Sequence, residues 1–365
     1  MNPITSLPEN TSVDIKARRS VAMEIGILGL PRSGKSALFE IMTSIKSCDM
    51  HGEACIRGQA AVPDERFDHL VRIFQPAKIS PAKVPFVDVN AIGERAWDSL
   101  RQSLSGVEGI LHVIDGFSAN NVGDIANRYH QMEDELVLSD LMIVENRMER
   151  LAKTSKKVLS PQDMAQAQLM PKLKEQLERG KPLRELSFIP EELHSLRSFS
   201  FWSIRPELVV INTGETNLAM ADGFREQTVQ SVPVMGICCL TEAELAALLP
   251  EEQKEFLADL GIKEPAFGRI IRASFQLLGK IAYFTYGADE VKSWVIPAGS
   301  KAPRAASVIH NDFERGFIKA EVVSFDDFLN CGSSIAGAKA AGKLRLEGKD
   351  YVVKDGDIIT FRFNV

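Results

Sequence analysis

The stretch Gly29-Leu30-Pro31-Arg32-Ser33-Gly34-Lys35-Ser36 is the feature that most constrains what this chain can fold into. It fits the pattern G-x-x-x-x-G-K-[ST] at every fixed position. A short apolar strand precedes it and a helical pattern follows it, an order typical of a loop whose backbone N–H groups curl around phosphate oxygens. The sequence therefore predicts a nucleoside triphosphate site on Gly29, Leu30, Pro31, Arg32, Ser33, Gly34, Lys35, Ser36 and Ala37.

Two side chains are predicted to bind Mg²⁺ beside this loop. The hydroxyl of Ser36 would bind the cation, while Lys35 would reach the β- and γ-phosphates. Asp88 follows an apolar segment and occupies the position at which folds of this kind carry an acid on the magnesium side. We expect Ser36 and Asp88 to be the metal-binding residues; the alternative for Asp88 is a solvated aspartate at a strand end.

The apolar segments predict an α/β fold. Strands are expected over the following ranges: 24–28, 84–89, 109–115, 208–212 and 232–238. Helical stretches separate them, which favours a mostly parallel, doubly wound sheet of the kind that carries a phosphate-binding loop at its edge.

Residues 132–200 have a different pattern. Apolar residues alternate at spacings of four and three, as in a coiled coil, at Val137, Leu141, Val144, Met148 and Leu151. Ser160-Pro161 predicts the start of a second helix, and Gly180 with Pro182 predicts its end. We interpret the segment as an antiparallel helical hairpin inserted into the nucleotide domain. Its apolar stripe either packs within the hairpin or binds a protein partner.

The last part of the chain predicts a small β-rich domain with a helix near 337–341. The full expected division is a flexible tail, a two-part nucleotide-binding domain, the inserted hairpin and a C-terminal domain. Their limits are 1–22, then 23–131 with 201–270, then 132–200, and finally 271–365.

Composition and charge limit the partners and the cellular compartment that we expect for this chain. The net charge of −6 and the pI near 5.7 argue against nucleic-acid binding by bulk charge alone. Five cysteines without a regular spacing fit a reducing cytoplasm better than a disulfide scaffold. No apolar run approaches the roughly 20 residues that span a bilayer, so no membrane partner is expected.

A second motif carries a family resemblance. Asn212-Thr213-Gly214-Glu215 follows an apolar strand, where Ras-like GTPases carry Asn-Lys-x-Asp for guanine. Together with the phosphate loop, this combination resembles the Obg-like ATPase (YchF) family. The segments 271–279, 308–318 and 356–365 resemble that family as well.

The resemblance implies a Ras-like domain, an inserted coiled coil and a C-terminal TGS domain. It also implies that ATP is preferred over GTP, that Asn212 and Glu215 belong to the base site, and that Cys238 lies in the loop flanking the base. The alternative for Cys238 is a small buried apolar residue. The family further implies contact of the TGS domain with the ribosome or RNA; the alternative is a charge-balanced surface.

Several positions depart from the family pattern. Arg32 stands where the family has asparagine, Ala91 where it has glycine, and Asp124 where it has a histidine proposed to be catalytic. The threonine that usually caps Mg²⁺ has no counterpart between residues 45 and 61. We therefore leave the catalytic residues unassigned, with Arg32 as a candidate charge near the phosphates; the alternative for Arg32 is a solvated loop arginine. The prediction is a slow ATP or GTP hydrolase; the alternative is a nucleotide-binding regulatory module with little or no hydrolysis.

Overall fold

The computed structural model describes residues 24–46, 55–89, 97, 101, 104–154, 160–228, 232–259 and 262–364. The predicted tail and Ala91 lie outside the described residues. The described chain forms two six-stranded sheets with helices packed on them, which confirms the α/β class with a β-rich C-terminal part. No helix in these ranges is both long enough and apolar enough to cross a membrane.

The first sheet has the order β2-β4-β1-β5-β6-β7. Its strands are β1 Glu24–Leu28, β2 Cys55–Ala61, β4 Lys83–Val89, β5 Val107–Asp115, β6 Glu207–Asn212 and β7 Val234–Ile237. All neighbours pair in parallel except β2, which runs antiparallel to β4. The predicted doubly wound sheet is confirmed. The end of β4 at Val89 is as predicted. The largest differences in limits are two residues: β5 begins at Val107 rather than Gly109, and β7 begins at Val234 rather than Val232.

Helices cover this sheet and lead from it into the rest of the chain. Up to residue 259 of the described chain, the α-helices with assigned limits are α1 Lys35–Thr43, α2 Glu65–Phe74, α3 Val122–Lys153, α4 Pro161–Glu178, α5 Pro190–Leu196, α6 Ala219–Gln227, α7 Cys239–Ala247 and α8 Pro250–Asp259. Later in the chain come α9 Ala266–Leu277, α10 Ala302–Ile309, α11 Asn311–Arg315, α12 Phe325–Asn330 and α13 Ile335–Ala340.

The helical hairpin consists of α3 and α4. Arg147 binds Asp163 while Glu145 binds Lys174 further along α4, so the two helices run antiparallel. Every residue of the predicted stripe lies in one hydrophobic cluster of the hairpin, which shows that the stripe packs within the molecule. Ser160 forms the predicted cap of α4, since its hydroxyl accepts from the backbone N–H of Asp163.

The helix α3 begins at Val122, well before the expected start of the hairpin. The predicted limit at 131/132 falls within α3, and the limit at 270/271 falls within α9. Continuous helices therefore cross from the first sheet into the hairpin and towards the C-terminal sheet, and the exact division into domains stays a prediction.

The second sheet has the order β11-β10-β12-β8-β9-β3. Its C-terminal strands are β8 Lys280–Thr285, β9 Glu290–Pro297, β10 Phe317–Ser324, β11 Arg345–Glu347 and β12 Asp357–Phe363. The sixth strand, β3 Lys78–Ser80, comes from the nucleotide domain and pairs in parallel with β9. The sequence did not predict β3. Val352 forms an isolated bridge with Lys301 outside the named strands.

The two sheets share one hydrophobic core. Its buried members include Phe39 of α1, Phe67 of α2, Ile270 of α9 and Phe284 of β8. The helix α2 lies at this junction because Phe74 stacks on Tyr286 with ring centroids 4.8 Å apart. The C-terminal sheet is therefore packed directly on the segment that follows β2.

A cavity of about 450 Å³ lies at the same junction, between α2, α9 and β8. Its cationic side chains are already paired with carboxylates: Arg66 with Asp64 and Asp355, Arg272 with Glu264, and Lys280 with Glu108. Because these charges are neutralised within the protein, we interpret the cavity as part of the domain junction rather than as a phosphate site.

Candidate nucleotide site

The phosphate loop lies between β1 and α1, and two glycines determine its path. Gly34 has φ 94°, a left-handed conformation that favours glycine. A Cβ at Gly34 would lie 2.3 Å from the side-chain nitrogen of Asn212, and one at Gly29 would lie 2.3 Å from the carbonyl oxygen of Val113. Neither position has room for a side chain, so the backbone can pass close to its neighbours and still turn into α1.

Two cations lie on this loop. Arg32 is exposed and has φ 69°, while Lys35 is partly exposed at the first position of α1. Neither forms an ion pair with a described residue. Both charges are therefore available to an anion at the N-terminus of α1, where the helix dipole adds to them.

The predicted magnesium ligands are in direct contact. The hydroxyl of Ser36 donates a hydrogen bond of 2.7 Å to Oδ2 of Asp88. The other oxygen of Asp88, Oδ1, is buried and accepts from no described residue. Burial raises the pKa of Asp88, while the hydrogen bond from Ser36 and the positive charge of Lys35 oppose that shift. An unpartnered carboxylate oxygen beside a hydroxyl fits a hard divalent cation, for which oxygen is the preferred ligand.

Asn212 ties the phosphate loop to the end of the sheet. Its side-chain amide donates to the carbonyl oxygen of Ser33 at 3.2 Å, and its side-chain oxygen accepts from the backbone N–H of Cys239 at 3.1 Å. One side chain thus connects the loop after β1, the end of β6 and the start of α7. The structure thus places Asn212, predicted to belong to the base site, against the phosphate loop.

Glu215 and Cys238 lie together beyond Asn212, and Thr241 joins them. Thr241 Oγ1 donates to Glu215 Oε1 at 2.5 Å and lies 3.2 Å from Cys238 Sγ. Glu215 is exposed and Cys238 is buried. Sequence reasoning did not find Thr241, because 26 positions separate it from Glu215 and no motif connects them.

A second residue that sequence reasoning did not find is Phe117. Its side chain is 62% exposed, and a Cβ at Gly214 would lie 3.8 Å from its ring. Asp115 fixes the loop that carries it by accepting from the backbone N–H groups of Phe117 and Ser118, and Arg128 donates to the same carboxylate at 2.9 Å. An exposed aromatic ring on a fixed loop offers a stacking face to a base. The sequence signal that pointed to this loop was the apolar run of β5, which ends in the acid Asp115.

Asp124, which stands at the family's histidine position, lies in the first turn of α3. Its carboxylate accepts from the backbone N–H of Asn120 at 2.9 Å, and its own N–H is capped by Asn121. An acid in this position stabilises the start of a helix.

A buried charged cluster lies below the loop, where α3 meets the sheet. His112, Glu133 and Glu207 place possible ligand atoms within 4.8 Å of one another. However, Arg184 donates to both carboxylates, and His112 Nδ1 lies 2.8 Å from Glu207. The cation of Arg184 already fills the place a metal ion would take, so the cluster joins the hairpin to the sheet. Arg184 and the other donors keep the pKa of Glu207 low despite its burial.

Comparison with known proteins decides the family. The chain is 37% identical to the ribosome-binding ATPase YchF of Bacillus subtilis (strain 168), over 94% of this chain and all of that protein. It is 33% identical to Obg-like ATPase 1 of Oryza sativa subsp. japonica, over 96% of this chain and 94% of that protein. The chain belongs to the YchF/Obg-like ATPase family. The resemblance seen in the sequence is thereby confirmed.

Two further findings agree with the YchF family. The family model YchF-GTPase_C, described as a protein of unknown function (DUF933), matches residues 280–364, which is the C-terminal sheet. The solved structure of the Schizosaccharomyces pombe YchF GTPase superposes with a TM-score of 0.79 at 26% identity, covering 94% of this chain and 99% of that chain. The YchF fold therefore extends over the nucleotide domain, the hairpin and the C-terminal sheet.

Proposed function

We propose that this chain binds Mg²⁺ and ATP at residues 29–37 and hydrolyses ATP slowly, with GTP as a weaker substrate. The observation that carries the proposal is the pair Ser36–Asp88 beside the free cation Lys35. This arrangement provides a hydroxyl, an unpartnered carboxylate oxygen and a positive charge at a helix N-terminus, which together match a magnesium-bound triphosphate. Relatives of this chain named as ATPases support the same activity.

The metal would be held by Ser36 and Asp88. When bound, Mg²⁺ would neutralise charge on the phosphate oxygens. Lys35 would add a second charge there, and the backbone of Gly29–Ser36 would cradle the phosphates. Arg32, on the exposed side of the loop, would add a further fixed cation.

The base would lie at the carboxyl ends of β6 and β7, where open α/β sheets place their ligands. Phe117 would stack on it, and Glu215 would accept a hydrogen bond from it. Asn212 would hold this end of the site against the phosphate loop, while buried Cys238 would close its inner wall.

We expect slow turnover because Asp124 stands where the family carries a histidine proposed to be catalytic. Asp124 is engaged as a helix-start residue and carries a negative charge that would not stabilise an anionic transition state. Catalysis of phosphoryl transfer depends on positioned water and added positive charge. Arg32 is the candidate for that charge, and a partner would supply what this chain lacks. We place this activity in the cytoplasm, in line with the ribosome-binding relatives.

Phosphate release from the purified chain with ATP and with GTP tests the proposal. Lys35→Ala serves as the loss variant, and Lys153→Ala, which changes an exposed lysine at the end of α3, serves as the matched control. Turnover that disappears only in Lys35→Ala supports the hydrolase. Tight nucleotide binding without turnover would favour a nucleotide-responsive binding module. If neither nucleotide binds, both forms of the proposal fail.

We also propose that the C-terminal sheet, as a TGS domain, contacts the ribosome through RNA. Some of its cations are paired, for example Lys301 with Asp350 and Arg362 with Glu321. Among those that form no ion pair with a described residue are Arg315, Lys319, Lys339 and Lys349. Unpaired cations are the ones that can bind phosphates and release counterions. Co-sedimentation with ribosomes should fall for Lys319→Glu with Lys339→Glu and stay unchanged for Lys301→Glu.

The outer face of the hairpin is a second candidate surface. Leu138 and Met142 are one helical turn apart on α3 and are 50% and 55% exposed, so they present an apolar strip that the hairpin core does not use. Such a strip suits a protein partner. Cross-linking from a cysteine placed at Leu138 tests this assignment.

A further inference from the structure

Glu215, the acid at the base end of the site, does not offer both of its oxygens equally. Thr241 Oγ1 donates to Oε1 at 2.5 Å. Thr241 lies in the first turn of α7, on the strand–helix connection beside the one that carries Glu215. The carboxylate is therefore fixed in rotation, with Oε2 as its less engaged oxygen.

The Thr241 hydroxyl lies between two acceptors. A hydroxyl has one hydrogen to donate, and the shorter contact assigns that hydrogen to Glu215. Cys238 Sγ, at 3.2 Å, is the weaker alternative acceptor for the same hydrogen. Thr241 therefore connects the exposed carboxylate of Glu215 to the buried wall of the site at Cys238.

Guanine and adenine present different hydrogen-bonding groups to such a carboxylate. Guanine presents two adjacent N–H donors on one edge, and a carboxylate with two free oxygens accepts both in a forked arrangement. Adenine presents one exocyclic amino group beside a ring acceptor. The Thr241 hydroxyl occupies one lone pair of Oε1 and fixes the rotation of the carboxylate. A single amino donor can still bind Oε2, whereas the two N–H groups of guanine need both oxygens aligned with them and meet a poorer forked geometry, which is unfavourable once the base is in place.

We propose that Thr241 determines base specificity: its hydroxyl engages one oxygen of Glu215, so that the site accepts a single amino donor and favours adenine over guanine nucleotides. This inference rests on the proposed nucleotide site and adds the residue that sets its substrate class. Thr241 acts through Glu215 and is a positioning residue.

The test compares dissociation constants for ATP and GTP, in Mg²⁺, for the whole chain and for Thr241→Val. Valine keeps the shape of threonine and removes the hydroxyl. We expect the ratio of the GTP to the ATP dissociation constant to fall by roughly tenfold, mainly through tighter GTP binding. Thr241→Ser restores the hydroxyl and should restore the ratio. Thr154→Val, at the end of α3, is the matched control and should leave it unchanged.

The outcomes separate this inference from the proposed function. If the wild-type chain binds neither nucleotide, the proposed site and this inference both fail. If it binds nucleotide and Thr241→Val leaves the ratio unchanged, the inference alone is overturned. Should Thr241→Val not fold, Glu215→Gln replaces it. The amide of glutamine has a single oxygen and adds a donor. If the ratio of the GTP to the ATP dissociation constant in Glu215→Gln equals that of the wild type, the role assigned to Thr241 and Glu215 is overturned.

Discussion

Arg66 donates a hydrogen bond of 2.8 Å to Asp355, which lies 289 positions further along the chain. The same guanidinium binds Asp64, the residue that caps the start of α2. These carboxylates raise the pKa of Arg66 above its already high value, so it stays charged at any ordinary pH. The first turn of α2 is therefore held to the C-terminal sheet by a charge that does not titrate.

The junction around α2 leads to a first prediction. Phe74→Ala should lower the free energy of unfolding by about 2 kcal/mol. This is less than the loss expected for a fully buried phenylalanine, because the ring of Phe74 is half-buried. The lost contacts are the stacks on Tyr286 and Phe328. Urea unfolding measures the change. Phe117→Ala is the matched control, since that ring is largely exposed and should leave the midpoint almost unchanged. Equal midpoints for the two variants would contradict this account of the junction.

The same control variant carries the second prediction. Phe117→Ala should weaken ATP binding by about 1–3 kcal/mol, the range measured for loss of one base–aromatic stack. Isothermal titration in the presence of Mg²⁺ measures the effect, and Phe74→Ala should bind ATP as the wild type does. Unchanged affinity in Phe117→Ala would mean that the base does not lie over this ring.

A third prediction concerns Gly34. Gly34→Ala should abolish nucleotide binding, because the new Cβ would lie 2.3 Å from the Asn212 side chain that holds the loop. Gly180→Ala is the control: the backbone at Gly180 also has a positive φ, of +71°, but nothing lies within 4 Å of the new Cβ. Both variants should lose about 1 kcal/mol of stability from backbone strain. Only Gly34→Ala should lose binding of a fluorescent ATP analogue; retained binding would show that the loop tolerates a shift of Asn212.

The fourth prediction follows from the raised pKa of Asp88. Burial makes the folded, metal-free protein bind a proton at Asp88 more readily than the unfolded chain does. The contribution of this group to stability is thus fully present below the unfolded pKa and is lost as pH rises through the folded pKa. Asp88→Asn should stabilise the metal-free protein at neutral pH, with a smaller gain in acid.

The same substitution should also weaken Mg²⁺-dependent ATP binding. Loss of an outer-shell partner of a metal costs roughly 10- to 100-fold in affinity, and loss of Asp88, which would hold the metal itself, should cost at least as much. Denaturant midpoints at neutral and acidic pH, with and without Mg²⁺ and ATP, measure both effects. Asp115→Asn is unsuitable as a control because it loosens the Phe117 loop, so Asp222→Asn on the exposed face of α6 is used instead. A loss of stability in metal-free Asp88→Asn would contradict the account.

The fifth prediction concerns the buried cluster at the base of the hairpin. Arg184→Met should destabilise the fold by about 3–5 kcal/mol, because it leaves the buried carboxylates of Glu133 and Glu207 without their cation. The loss should be smaller in acid, where these carboxylates take up protons. Arg179→Met removes an exposed pair with Glu175 and should cost less than about 1 kcal/mol. Similar losses for the two variants would show that the cluster contributes little.

The features that the sequence predicted are those set by local pattern. The phosphate loop follows from fixed spacing, and β5 from an apolar run buried on both faces. The stripe along α3 follows from helical periodicity. Each of these signals lies within a few turns or strand lengths of chain, so no long-range contact was needed to recognise it.

The features that the sequence did not predict depend on distant partners. The strand β3 has three residues, and its Ile79 is exposed, so it carries no apolar alternation; it becomes a strand because β9 pairs with it. The link between Thr241 and Glu215 depends on two connections meeting at one edge of the sheet. Contacts of this kind are properties of the assembled fold.

The pairing of β3 with β9 also determines which part of this chain could be transferred into another protein. A strand at the edge of a sheet offers unpaired backbone groups to other chains, and β3 covers those of β9. A recombination that moved residues 280–364 into another protein would transfer a sheet with a bare edge, prone to self-association. The C-terminal sheet of this protein is therefore portable only together with residues 78–80, or with a new partner strand for β9.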